Sequence, residues 1–525
     1  MTRFASGRHA GVLVPLFSIR SQPGWGIGEI ADLPRFAAWL QDAGLDMLQL
    51  LPVNEMAQGQ NSPYSAMTAM AIDPIYIAVG EVEEFAAAGG ETSLSREDRA
   101  MLAHVRRADT VQYADVRPLK VRAFRAAFAR FDETEWQAHS PRARAFQAFC
   151  DEQAWWLDEY TVFRALHEEH DARYWREWDP ALRDRDPAAL AAARSRLSSR
   201  IRYFAWLQWI ADTQWQRAQE ACGNVGIFGD FPFMVSGDSA DVWSRQHEFN
   251  VDVSVGVPPD AFSDTGQDWG LPAYRWDVIA PGGYEWLRQR VRRCTELFDG
   301  FRIDHLVGFY RTYVKSNDGT TAFWPVEEAE QLALGERLLD LFGSTGARII
   351  AEDLGTVPDF VRESLGRRRV PGMKVLRWER EWEVDGKPFR DPEAYPADTV
   401  AISGTHDTET LAEWWDEADA AERRAAAVIP ALKAAGIDPA APYSDNLRDA
   451  LLHALFASGS DILLLPVQDV FGWRDRVNTP AVVNDENWSW RLPWSVEDLR
   501  THPVAAERAR VLRDLARKSH RWGGR

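Results

Sequence analysis

Eight short apolar runs punctuate this chain of 525 residues: Val12–Phe17, Met47–Leu51, Val225–Phe231, Gly300–Asp304, Arg348–Glu352, Lys374–Trp378, Thr399–Ser403 and Asp461–Val467. They are nearly continuous in apolar character rather than alternating, the pattern of parallel strands buried on both faces. Helix-like stretches lie between most of them, for example Ala31–Ala43 and Tyr284–Phe298. Eight such strands with interposed helices predict an α/β fold, a (β/α)8 barrel.

The spacing is uneven at one place, between the second run and the third, where a mainly helical insertion is expected. Trp156, Tyr160, Phe163 and Leu166 fall at three- and four-residue steps there, as do Phe204, Leu207 and Ile210. That is the spacing of one helix face, and these aromatics read as helix core. Three regions follow: 1–80 with the first two strands, 81–220 as the inserted subdomain, and 221–525 with the other strands and the substrate loops. The stretch Gly256–Pro272, rich in Gly, Pro and Asp, reads as a long functional loop.

Three of the runs end in acids: FRIDH at Phe301–His305, AEDLG at Ala351–Gly355 and GTHDT at Gly404–Thr408. The carboxyl ends of barrel strands meet at one face, so Asp304, Glu352 and Asp407 should converge there. Arg302 and Asp304, two residues apart on a strand, point to the same side. The guanidinium favours an ionised Asp304, while the apolar Ile349, Ile350 and Ala351 favour a protonated Glu352. Carboxyls driven to opposite protonation states suit an acid and nucleophile pair. Retaining glycoside chemistry needs such a pair, about 5–5.5 Å apart. Asp407 and His406 are then placed to hold sugar hydroxyls.

Composition removes other classes. The balance of 60 Lys and Arg against 79 Asp and Glu gives −19, and the longest basic run is Arg367–Arg369, so nucleic acid is not an expected partner. Cys150, Cys222 and Cys294 are too few and too dispersed for a disulfide framework or a cysteine-rich metal site. No stretch approaches the roughly 20 apolar residues of a membrane span. A soluble cytoplasmic protein is expected.

Twenty-four Trp residues suit sugar binding, since indole faces cover the C–H faces of sugar rings; Trp243, Trp269, Trp473 and Trp488 stand in expected loops. Two other readings stay open. Three acids on a barrel can hold Mg²⁺ as in enolase-type sites, although those acids come from consecutive strands and act with a Lys or His base. No run carries a His-x-His zinc pair. A barrel that binds glucan without cleaving it is the other alternative.

At these motifs, and at GDFPFMVSGDSADVW (Gly229–Trp243) and GVPPDAFSDTGQDWGLP (Gly256–Pro272), the chain resembles the amylomaltase family, the 4-α-glucanotransferases of glycoside hydrolase family 77 in the α-amylase superfamily. The resemblance runs from Val12–Gly28 to Trp488–Leu492. It implies that Asp304 is the nucleophile, Glu352 the acid/base and Asp407 the transition-state stabiliser. Arg302, His406, Asp230, Tyr64, Trp269, Asp260 and His305 are implied to bind substrate, and Gly256–Pro272 to be a lid over bound glucan. Maltooligosaccharides, amylose and glycogen-derived α-glucans are the implied substrates, handled without cofactor or metal. Transfer ranks ahead of α-amylase-like hydrolysis, because a closing loop and an aromatic acceptor surface favour a sugar hydroxyl over water at the shared glycosyl-enzyme. The chain departs from the family at NEMAQGQNSPYS, which lacks a tyrosine before SPY, at Ala261, where an aromatic is common, and at Thr408, where Asn is common.

Overall fold

The computed structural model describes Phe4 and residues 7–259, 266–480, 482 and 484–521. Asp260 and Ala261 lie outside the described residues. Twelve strands are found among them: β1 (His9–Leu13), β2 (Met47–Gln49), β3 (Gly226–Phe231), β4 (Phe249–Val257), β5 (Gln267–Tyr274), β6 (Gly300–Ile303), β7 (Thr312–Ser316), β8 (Thr321–Trp324), β9 (Arg348–Ala351), β10 (Gly372–Val375), β11 (Thr399–Ile402) and β12 (Ile462–Pro466). Eight of these close into a barrel in the order β1-β12-β11-β10-β9-β6-β3-β2. The pairings are parallel. This is the (β/α)8 barrel read from the apolar runs.

Alternation within the strands explains both the barrel's core and its mouth. Met47, Phe228, Ile350, Met373, Val400, Ile402, Ile462 and Leu464 form one buried cluster with Phe4. Two residues beyond Phe228 comes Asp230, and two beyond Ile350 comes Glu352, so each acid shares its strand face with a core side chain. Apolar burial of roughly 1.5–3 kcal/mol per large side chain therefore fixes where the acids point. Phe228→Ala should cost about 3–5 kcal/mol and loosen the strand under Asp230.

Two runs are shifted from the expected ranges. The first strand is His9–Leu13, ahead of Val12–Phe17, because Pro15 lacks an N–H for the ladder and caps the 3-10 turn Leu16–Ser18. The sixth barrel strand is Gly372–Val375, and Leu376–Trp378 is a 3-10 turn.

The larger correction concerns Gly256–Pro272, expected as a loop. Its two ends are strands, β4 and β5, of a four-stranded antiparallel sheet ordered β5-β4-β7-β8. Between β2 and β3 the described chain is helical, the longest helices being Pro141–Glu169 and Ser198–Ala221. Among the described residues no helix is long and apolar enough to cross a membrane.

Candidate active site

A cleft of about 500 Å³ opens at the carboxyl ends of the barrel strands and is lined by Asp304, Glu352 and Asp407. The three acids thus converge as their strand-end positions require. Backbone bonds continue the ladder into their loops: Asp304 N–H donates to the Phe231 carbonyl (3.0 Å) and Glu352 N–H to that of Ile303 (3.0 Å).

One guanidinium organises the acids. Arg302 Nη1 donates to both Asp230 oxygens at 2.8 and 2.7 Å, and Nη2 lies 2.9 Å from Asp304 Oδ1 and 3.5 Å from Glu352 Oε2. The Arg302–Asp304 pairing read from their spacing is present, and Arg302 also reaches two further acids. The positive charge among these carboxylates is therefore already supplied by a side chain. Among the described residues no group of three or more His, Cys, Asp or Glu has metal-holding geometry.

Asp230 lies beneath the mouth, next to Arg302. Its side chain is fully buried and is taken up by Arg302 and by the Tyr64 hydroxyl, which donates to it at 2.7 Å. Burial raises its pKa above the carboxylate norm, and Arg302 opposes this.

Burial likewise pushes Glu352 up to about 7; Arg302 opposes the shift and Asp304 adds to it. Glu352 Oε2 also accepts the His305 N–H at 2.5 Å. His305 reaches that position in a left-handed conformation, φ 43°, a strain kept where the surrounding structure determines it. Burial draws its imidazole down to about 4, so the ring is neutral at pH 7. The ring meets Trp269 edge-on, with centroids 4.9 Å apart.

Asp407 is held the opposite way. Burial would raise it, but His406 at 3.2 Å and the Asn478 amide, donating to Oδ1 at 2.6 Å, outweigh that and take it down to about 2. Burial would lower His406, and Asp407 outweighs it, so His406 is raised. The Tyr64 ring stacks on His406 with centroids 5.1 Å apart and 16° between planes, and Trp488 packs against both.

Tyr64 is positioned by its loop. Asp73 accepts from Arg117 at 3.1 and 2.8 Å, and Glu55 accepts from Tyr160 (2.6 Å) and Arg164 (3.0 Å), so helices inserted after β2 hold both ends of the segment that carries Tyr64.

Among the four Trp residues expected in loops, Trp269 and Trp488 line the cleft. Trp243 is instead buried on the helix Ala240–Ser244, its indole donating to the Leu182 carbonyl, and Trp473 stacks on Phe471 at 4.4 Å. Asn478 escaped the sequence reading, since its loop carries no motif that marks it. Thr408, one of the departures, braces the turn of GTHDT: its Oγ1 accepts the Thr405 N–H at 2.9 Å.

Comparison with known proteins agrees with this geometry. The 4-alpha-glucanotransferase family of glycoside hydrolase family 77 matches residues 14–497. The 4-alpha-glucanotransferase of Thermus thermophilus is 33% identical over 489 residues, covering 90% of this chain and 93% of that protein. That of Chlamydia muridarum is 28% identical, with 94% and 92% covered. Among solved structures, amylomaltase from Streptococcus agalactiae in complex with acarbose superposes with a TM-score of 0.82 at 26% identity, over 98% of this chain and 100% of that one. The acids at the barrel mouth and these matches lead to one conclusion: the chain belongs to the 4-α-glucanotransferases of glycoside hydrolase family 77.

Proposed function

We propose that this 4-α-glucanotransferase moves α-1,4-glucan segments between maltooligosaccharides, amylose and glycogen-derived chains by a retaining double displacement. Asp304 attacks the anomeric carbon while Glu352 gives its proton to the departing glycosidic oxygen, leaving a glycosyl ester on Asp304. Glu352, now a carboxylate, takes a proton from the acceptor's 4-hydroxyl; that oxygen attacks the anomeric carbon and frees Asp304. Asp407, kept as a carboxylate by His406 and Asn478, and His406 hold the hydroxyls of the sugar as positive charge develops on its ring. Tyr64, His305 and Trp269 line the same cleft as contacts for the glucan.

The observation that carries this reading is the shared contact of Asp304 and Glu352 with Arg302 Nη2, at 2.9 and 3.5 Å. Their carboxyl oxygens are closer than the sum of those lengths. That bound admits the separation of roughly 5–5.5 Å that a retaining pair requires. Val257 at the end of β4, the adjacent Pro258 and Gln267 at the start of β5 wall the cleft.

Incubation with maltotriose tests the reading. Glucose together with longer oligomers that an α-1,4-specific exo-glucosidase digests fully is the expected outcome. Only shorter sugars would mean hydrolysis, and longer products resistant to that enzyme would mean inversion.

A further inference from the structure

One wall of the cleft is made by the antiparallel sheet rather than by the barrel. Tyr313 on β7 is the direct cross-strand partner of Phe323 on β8, and Gly256 on β4 is the partner of Tyr313 on its other side. Directly opposed residues share a sheet face. All three line the cleft, whereas the intervening Val255 and Val314 are buried on the opposite face. The Tyr313 and Phe323 rings lie 5.3 Å apart. The two rings meet edge-on, inclined at 61°, and Gly256 beside Tyr313 leaves no room for a side chain: a Cβ there would stand 1.9 Å from the Gln267 carbonyl oxygen. The result is a half-buried aromatic shelf with an open margin.

Arg311 completes it. Its guanidinium carbon lies 4.2 Å from the centroid of the Phe323 ring, and Arg311 too lines the cleft. Among the described residues its side chain makes no ion pair or hydrogen bond, and its Nε is buried without a partner. The guanidinium stacks on Phe323 and feels the charge of Glu328, and its buried Nε still lacks a partner among the described residues. A cross-strand aromatic pair by itself is ordinary sheet packing of roughly 0.2–1 kcal/mol. An aromatic ring face beside planar N–H donors is what a pyranose demands: a surface for its C–H face and N–H groups for vicinal hydroxyls.

We propose that Arg311, Tyr313 and Phe323 form an oligosaccharide subsite that holds glucosyl units of an α-glucan away from the bond being cleaved. The proposal rests on the reading of the cleft as glucan-transferring. The three acids follow barrel strands, whereas Tyr313 and Phe323 belong to the separate sheet, and no described contact joins them or Arg311 to Asp304, Glu352 or Asp407. A short sugar fills the positions beside the acids, and only a longer one reaches the shelf.

The test compares kcat/KM for maltotriose and maltoheptaose in the full-length enzyme and in Tyr313→Ala/Phe323→Ala, Phe323→Trp and Arg311→Gln variants, with melting curves to confirm folding. The double alanine variant and Arg311→Gln should lose about fivefold to tenfold on maltoheptaose, through KM, and less than twofold on maltotriose. Phe323→Trp, which restores a flat ring, should keep the preference for the longer sugar. Equal losses on both sugars, or no loss on either, would overturn the subsite. If the unaltered enzyme turned over neither sugar, the glucan reading itself would fall, and the subsite with it.

Discussion

The barrel mouth and the antiparallel sheet face the same cleft with opposite chemistry. At the mouth, Asp230, Asp304 and Glu352 gather round the single guanidinium of Arg302, on strands fixed by a packed apolar interior. On the sheet the cleft-facing row is aromatic and glycine, with the Arg311 guanidinium over the Phe323 ring. Charge in a low-dielectric site is strong and sensitive to position, whereas stacking contacts are weak and tolerant of small shifts. On the proposed reading, the division assigns bond breaking to the rigid scaffold, and the length of chain held to an appended wall.

Substitution at the two regions should separate these functions, with the largest effects at the mouth. Asp304→Asn should lower kcat by about 10⁴-fold or more on any glucan, as expected when a nucleophile is removed; activity within tenfold of the unaltered enzyme would dissolve the distinction. Glu352→Gln should lose roughly 10²–10⁴-fold on maltooligosaccharides. The same variant should still release fluoride rapidly from α-maltosyl fluoride, whose leaving group needs no proton. Failure on the fluoride would remove the acid role from Glu352. Because Glu352 is held up to about 7 and must be protonated to act, kcat/KM should decline as pH rises through about 7.

Smaller effects refine the boundary. Asn478→Ala strips Asp407 of an amide donor and should cut kcat about tenfold with little change in KM, since one charge-assisted hydrogen bond of roughly 1.5 kcal/mol is lost. A rise in KM alone would place Asn478 with the binding wall instead. The smallest effect concerns products. The segment before Tyr64 lacks a tyrosine as a stacking platform, a loss of roughly 1 kcal/mol of remote glucan binding. Long amylose should accordingly yield mainly linear chains that an exo-acting amylase removes, and abundant resistant rings would show that another surface, the sheet among them, compensates.

Much of the mouth could be read from the sequence because each acid ends its own apolar run, so local pattern and barrel geometry agree. Arg302's partnership with Asp304 was visible for the same reason. Its bonds to Asp230 and Glu352 were not, since they cross between neighbouring strands and nothing in either motif records the register. Asn478 arrives on a loop after β12 and is defined only by the fold. The sheet was missed although its signal was present: Val251, Val253, Val255 and Val257 alternate with polar residues and glycine, the period of a half-exposed strand. The Gly, Pro and Asp content of the following segment obscured it, and the same composition now marks the connection between β4 and β5. Trp243 shows the converse, a residue in an apparent loop that the insertion buries completely.

The guanidinium bridging Asp304 and Glu352 has a consequence for how the reaction proceeds. In the first half of the proposed cycle Asp304 becomes a neutral ester as Glu352 becomes an anion, and in the second half both changes reverse. Each step therefore shifts one negative charge from one oxygen acid to the other, 2.9 and 3.5 Å from the same nitrogen, without altering the total that Arg302 experiences. The surroundings of that cation need little dipolar rearrangement between glycosylation and transfer. An arginine so placed acts as the fulcrum of a seesaw, and either carboxyl can be the low end while the support stays still.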